Sequence, residues 1–243
     1  MKVISERYPV ILIALSSLLI SVNGLMLRSI ESANEWQVIF GRQLFFGPVI
    51  LIFLIYRYRN RTIQIFKESG LIGLYAGLCL GLANPTIILA MTHTTVANAL
   101  FTLSSCPLIT SILAWIFLKE KISSRTIIAI LIAVSGIGIM VADGLGGGTV
   151  YGNLLALSCA FFFSMFVIFL RVGKDRNMLP STVIGAFIGI LIGLVGANFD
   201  YKLSMHDGLL CLFWGGFIAT TVHILFIQAS RYVYGAEIML ITM

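Results

Sequence analysis

Few residues of this chain are charged. Asp, Glu, Lys and Arg make up only 11% of its 243 residues, whereas 59% are hydrophobic and the mean hydropathy is +1.02. A soluble domain carries about 25% charged residues, because they cover its surface. The composition therefore excludes a water-soluble fold and predicts a protein whose surface lies mostly in lipid.

Several motifs of enzyme and metal chemistry are also missing. No P-loop occurs, so the sequence predicts no ATP-driven step. The hydrophobic runs contain neither an HExxH motif nor two facing aspartates, so we expect no intramembrane enzyme, no cofactor and no metal. The cysteines show no CxxC spacing and all fall within hydrophobic runs, which predicts packing roles and no disulfide framework. They are Cys79, Cys106, Cys159 and Cys211.

Hydrophobic runs long enough to cross a bilayer follow one another along the chain. A membrane-spanning helix needs about 17 to 25 predominantly apolar residues. Eight complete runs reach this length, and a ninth begins near Gly235. The eight are residues 9–27, 36–56, 70–91, 95–118, 126–142, 152–170, 179–197 and 208–228. The sequence thus predicts an all-α, polytopic membrane helical bundle.

The basic residues alternate between the two sides of this predicted bundle. Thirteen of the sixteen Lys and Arg residues fall in one set of alternate segments, two fall in the other set, and Arg42 lies within the second span. Because cytoplasmic loops carry the excess of Lys and Arg, the pattern predicts a cytoplasmic N-terminus in a multi-pass protein of the plasma or inner membrane. The formal net charge of +6 then reflects topology and not a nucleic-acid partner.

The sequence also contains an internal repeat. Residues 12–17 recur at 154–159, residues 70–77 at 208–215 and residues 97–102 at 236–241, at offsets of 142, 138 and 139. These offsets predict two five-helix units, 8–142 and an incomplete 151–243, joined by an external Gly-rich linker at 143–150. Because five is odd, the two units are inverted, which is the architecture that permits alternating access about a midplane site.

The first unit resembles the EamA domain of the drug/metabolite transporter superfamily, and Arg42 sits where that family commonly has an arginine. The resemblance implies ten helices and a secondary transporter of small organic metabolites. Since this chain ends inside the ninth run, the resemblance also implies a C-terminal truncation. A non-transporting membrane scaffold or accessory subunit is the alternative. The matching segments are Ala90, Thr95-Val96-Ala97-Asn98-Ala99-Leu100, Pro107, Phe117-Leu118-Lys119-Glu120-Lys121-Ile122-Ser123 and Gly136-Ile137-Gly138-Ile139.

Two polar residues in the second and third spans are candidates for a substrate path. Ionisable and amide side chains are expensive in lipid and usually face the bundle interior. Arg42 either attracts an anionic or zwitterionic substrate or snorkels outward to pair with Glu31 or Glu35. Asn84 precedes Pro85, which predicts a broken or kinked helix whose freed carbonyls line a cavity, or a simple packing kink.

Five further candidates lie in later spans. Asn98, Thr102 and Ser105 share one helix face, which either lines the path or forms hydrogen bonds between helices. Glu237 aligns with Asn98 through the repeat, and a proton or cation is a possible coupling ion there. His223 either carries a proton or is simply hydrogen-bonded within the bundle.

Overall fold

A computed structural model of the protein describes residues 11–119 except Ile13, residues 149–230, and residues 127, 128, 131, 132, 135 and 136. Most of the predicted fifth span and the linker residues 143–148 lie outside these described residues. So do the ninth run and Glu237.

Seven helices can be followed from end to end in the described chain, and no described residue belongs to a strand. Helices α1 to α4 correspond to the first four predicted spans, and α5 to α7 to the sixth, seventh and eighth. The helical stretch Glu35–His93 and helices α4, α5 and α7 are long and apolar enough to cross a membrane, and α1 and α6 are shorter apolar helices. The prediction of a polytopic helical membrane protein is confirmed. The helices are α1 (Ala14–Arg28), α2 (Glu35–Tyr58), α3 (Thr62–His93), α4 (Val96–Leu118), α5 (Val150–Val172), α6 (Pro180–Gly196) and α7 (Met205–Ala229).

Side-chain caps begin four of these helices. The side chain of Asn34 accepts a hydrogen bond from the Gln37 amide while Gln37 accepts one from the Asn34 amide, forming a capping box at the start of α2. Thr95, Thr149 and Ser204 accept hydrogen bonds from backbone amides in the first turns of α4, α5 and α7. These caps satisfy amides that have no partner inside the helix.

The capped helix starts meet at one end of the bundle. Thr94 Oγ1 donates to Asn153 Oδ1 over 3.2 Å, and Ser32 Oγ donates to Asp207 Oδ2 over 2.6 Å, so segments far apart in sequence lie side by side. We call this the acidic end, because it holds Glu31, Glu35, Asp200 and Asp207.

The basic end lies opposite, where α2 turns into α3 and α5 into α6. Arg176 Nη1 donates to the Glu68 carbonyl there over 3.5 Å. The helix ends and loops at this end carry Arg57, Arg59, Arg61, Lys67, Lys119, Arg171, Lys174 and Arg176. Most described basic residues therefore lie at one end, as their alternation along the sequence predicts.

Helix α6 packs against both α2 and α3 through glycines. A Cβ atom on Gly77 would lie 2.7 Å from Ile184 Cβ, and one on Gly185 would lie 3.1 Å from the Gly77 carbonyl oxygen. Gly189, one turn further along α6, faces Gln43 of α2 in the same way. Because lipid gives no hydrophobic drive between helices, close backbone approach at small residues supplies the packing energy.

The break predicted at Pro85 is not found. Helix α3 runs without interruption through Asn84 and Pro85, and its non-helical residue is Gly70, with φ 55° and ψ −152°. Thr86 Oγ1 donates to the carbonyls of Leu82 and Ala83, each over 2.9 Å. The carbonyl that Pro85 leaves without an amide partner is that of Gly81, four residues earlier.

We expect Gly77→Ala to destabilise the protein by about 1–3 kcal/mol, because the added methyl group overpacks the contact between α3 and α6. Gly208→Ala is the matched control, since no atom lies within 4 Å of its Cβ position. Thermal unfolding in detergent micelles measures both variants. Equal midpoints for the two variants would contradict the glycine contact.

Candidate functional site

The guanidinium of Arg42 is buried where α2, α3 and α7 meet. Arg42 is only 6% exposed, and it lies seven residues, or about 10 Å, along α2 from Glu35. Its Nη1 donates to Asn84 Oδ1 of α3 over 3.5 Å. On its other side, Cζ lies 4.9 Å from the ring centroid of Trp214 in α7, which is within cation–π range.

The alternative of an outward-facing Arg42 paired with Glu31 or Glu35 is not found. The Glu35 carboxylate accepts a hydrogen bond from Thr92 Oγ1 over 2.7 Å and lies 3.3 Å from His93 Nε2. Glu31 lies 3.8 Å from His206 Nε2. Because Arg42 is buried against Asn84 and Trp214, neither carboxylate is its partner.

Trp214 is itself held in place by a polar contact. Its Nε1 donates to Asn23 Oδ1 of α1 over 2.6 Å, and the neighbouring Gly215 packs directly against the backbone carbonyl of Arg42. Neither Trp214 nor Asn23 is among the residues predicted from the sequence. Asn23 is an amide inside the first hydrophobic run, so the criterion that selects Asn84 also selects it. Trp214 has no such signal, because one tryptophan in an apolar run looks like any other packing residue.

Several buried polar atoms in this region lack hydrogen-bond partners among the described residues. They include Arg42 Nε and Asn84 Nδ2, both donors, and both amide atoms of Gln43, which faces Gly189 on α6. An unpaired buried donor costs about 1–3 kcal/mol, and more if it is charged. We call Arg42, Asn84 and Trp214 the arginine cluster.

The described acidic residues all lie near the two ends of the bundle, away from the arginine cluster. They are Glu31, Glu35, Glu68, Asp175, Asp200 and Asp207. Within the described part of the chain, the cluster therefore presents donors and a positive charge with no fixed carboxylate beside them. Such an arrangement suits a carboxylate or phosphate group of a ligand.

His223 lies one turn further from the acidic end than Arg42. Its ring centroid is 4.9 Å from that of Phe46, which is one turn beyond Arg42 on α2. Its Nδ1 lies 2.7 Å from the Ala219 carbonyl of its own helix.

The three predicted polar residues of α4 are all buried. Asn98 is 8% exposed, and Ser105 Oγ donates to the Thr102 carbonyl over 2.7 Å. Helix α4 is interrupted between Leu103 and Cys106, so Ser105 lies at the join of two helical segments. Both segments pack against α5, which places these residues on the α4–α5 side of the bundle.

A cavity of about 370 Å³ opens at the acidic end. Its floor lies close to the arginine cluster, because Val38 is one turn from Arg42 on α2. Val38, Ile88 and Trp214 are buried in one hydrophobic group, and Arg42 is not among the residues that line the cavity. The cavity is lined by Leu27, Arg28, Ile30, Ala33, Glu35, Val38, Met91, Thr92, Thr94, Thr95 and Val96.

Asp207 anchors the loop between α1 and α2 at the same end. Its Oδ1 accepts from the Glu31 amide over 3.0 Å, and its Oδ2 accepts from the amides of Ser32 and Ala33 over 3.1 and 3.0 Å. The sequence gives no sign of this role, because the partners of Asp207 lie about 175 residues away. The carboxylate thus fixes α7 against the segment that leads into α2.

Comparison with known proteins gives a family match and a fold match. A model of the EamA-like transporter family matches residues 7–142, a range that contains Arg42, Asn84 and every residue lining the cavity. No curated protein matches the chain. One crystal structure of a protein superposes with a TM-score of 0.68 at 15% identity, covering 98% of this chain and 86% of that chain. At this identity the likeness shows the fold alone.

Proposed function

We propose that this chain, which belongs to the EamA-like transporter family, is a secondary transporter that moves a small organic anion or zwitterion by alternating access. The observation that carries the proposal is the buried guanidinium of Arg42. A scaffold or accessory subunit has no need of a cation in its interior, whereas a transporter needs a charged group that recognises its cargo.

The arginine cluster is the proposed substrate site. A carboxylate or phosphate placed against Arg42 Nε and Asn84 Nδ2 would satisfy donors that lack partners in the described chain. Charge-assisted hydrogen bonds of this kind are stronger than neutral ones. The flat face of Trp214 orients the guanidinium, so its N–H donors are already positioned when the substrate binds.

The packing of the helices around this cluster suggests how access could alternate. Val38, Ile88 and Trp214 belong to one buried hydrophobic group, which we call the apolar layer, and Val38 also lines the cavity at the acidic end. In this proposal, moving the layer exposes Arg42 to the acidic end, and moving α6 against α2 and α3 exposes it to the basic end. The two inverted five-helix units supply such a motion, and Glu237, outside the described residues, is the proposed coupling carboxylate.

In the membrane, the basic end is proposed to face the cytoplasm, because cytoplasmic loops are enriched in Lys and Arg. This places the N-terminus inside, in a plasma or inner membrane.

Cysteine labelling tests this orientation. We expect a membrane-impermeant maleimide to label Tyr201→Cys, at the acidic end, in intact cells, and to label Asn60→Cys, at the basic end, only after permeabilisation. The native cysteines give little background, because Cys106, Cys159 and Cys211 are buried and Cys79 is half-buried. The reverse labelling pattern would overturn the proposed orientation.

Transport by Arg42 variants tests the substrate site. In proteoliposomes given a panel of labelled carboxylates, phosphates, amino acids and amines, we expect the wild type to exchange members that carry an anionic group. Arg42→Gln should lower that exchange by at least about tenfold, since a hydrogen bond to a charged group contributes about 1.5–3 kcal/mol. Arg42→Lys keeps the charge without the planar fork and should be intermediate.

Arg57→Gln is the matched control, because it makes the same change in the last turn of the same helix, where the side chain is exposed. Wild-type exchange by Arg42→Gln, or equal losses in the two variants, would reject the arginine cluster as the substrate site.

A further inference from the structure

We infer that the cavity at the acidic end is a first binding site for a small zwitterion, whose carboxylate lies against Arg28 and whose ammonium lies against Glu35. This inference rests on the proposed function, because it assigns a charge class to the transported molecule. It concerns a place in the molecule separate from the arginine cluster.

The two charges that line the cavity differ in how they are held. Glu35, in the first turn of α2, is fixed in the wall by Thr92 Oγ1 at 2.7 Å and His93 Nε2 at 3.3 Å. Arg28, in the last turn of α1, is exposed and makes no ion pair or side-chain hydrogen bond with any described residue. The cavity thus contains a positioned carboxylate and a guanidinium that is available to a ligand.

The other polar side chains of the wall already form hydrogen bonds within the protein. Thr94 Oγ1 donates to Asn153 Oδ1 over 3.2 Å, and Thr95 Oγ1 accepts from the Asn98 amide over 3.1 Å. We therefore assign the recognition of the ligand's charges to Arg28 and Glu35. A simple carboxylate would be repelled by Glu35 and a simple amine by Arg28, whereas a zwitterion satisfies both.

The size and lining of the cavity fit a small molecule with an apolar side chain. Its volume of about 370 Å³ lies in the range of about 300–1,000 Å³ that is usual for ligand pockets. Apolar side chains cover much of the wall, among them Leu27, Ile30, Val38, Met91 and Val96. These residues would receive the carbon part of the ligand.

The site also lies on the way to the arginine cluster. Val38, in the cavity floor, precedes Arg42 by four residues on α2, a rise of about 6 Å. When the apolar layer moves, a carboxylate bound at Arg28 has a second guanidinium, that of Arg42, deeper in the bundle.

Calorimetric titration of the purified chain in phosphatidylglycerol nanodiscs tests the inference with three probes of similar size. They are 2-aminobutyrate, which carries both charges, butyrate, which carries only the carboxylate, and propylamine, which carries only the ammonium. We expect 2-aminobutyrate to bind at least tenfold more tightly than either of the others. Equal affinities, or no binding of 2-aminobutyrate, would overturn the inference.

Four charge variants locate the binding. Arg28→Gln and Glu35→Gln should each weaken 2-aminobutyrate binding about tenfold, while Lys202→Gln and Asp200→Asn, exposed at the same end but outside the cavity, should leave it unchanged. Because Glu35→Gln also alters the contact with His93, its thermal midpoint is measured, and the exposed Arg28 supplies an independent variant. Equal weakening in all four variants would overturn the site.

Two further titrations distinguish binding in the cavity from binding at the arginine cluster and from binding of a lipid head group. In Arg42→Gln, 2-aminobutyrate binding should persist even though transport falls, so failure at the cavity is distinguishable from failure at the arginine cluster. In nanodiscs of phosphatidylethanolamine, whose head group is itself a zwitterion, binding should be unchanged. Loss of binding in that lipid would assign the cavity to a lipid head group and overturn its role on the substrate path.

Discussion

A guanidinium about two helical turns inside a membrane bundle has little water around it, so neighbouring helices must supply what water would otherwise provide. Arg42 receives a carbonyl oxygen from Asn84 and the face of Trp214. Trp214 is held in turn by Asn23, and Gly215 allows α7 to touch the backbone of α2 at Arg42. Four helices are thus positioned by one charge, and donors on Arg42 and Asn84 still lack partners in the described chain.

Two kinds of contact hold the helices around Arg42. Glycines bring α6 close to α2 and α3, and side chains such as Ile184 and Gln43 pack into the space that these glycines leave. At the acidic end, by contrast, the Asp207 carboxylate ties α7 to the loop before α2. The cavity lies at the acidic end, the apolar layer lies next to it, and the arginine cluster lies deeper in the bundle. This order is what a carrier that admits its substrate in steps requires.

The helical spans were predictable because lipid demands long apolar runs, and each run was visible without knowledge of its neighbours. Arg42 and Asn84 also stood out, since polar groups are rare in such runs. Trp214 and Asn23 did not stand out in the sequence, because the contact between them joins positions 191 residues apart. The break expected at Pro85 was wrong, because α3 is helical through this position, and the kink given as the alternative stays a prediction. Glu237 and the two-unit organisation stay predictions.

The most direct test of the central claim is whether position 84 meets water. With the four native cysteines replaced by alanine, Asn84→Cys is exposed to 2-sulfonatoethyl methanethiosulfonate, a charged reagent that does not enter lipid, and Leu82→Cys, exposed on the outer surface of α3, serves as its control. Because the thiolate is the reactive form, a thiol in lipid reacts very slowly. We expect Asn84→Cys to react far faster than Leu82→Cys and to be protected by a transported anion. Equal, slow reaction at both positions would contradict a substrate path through the arginine cluster.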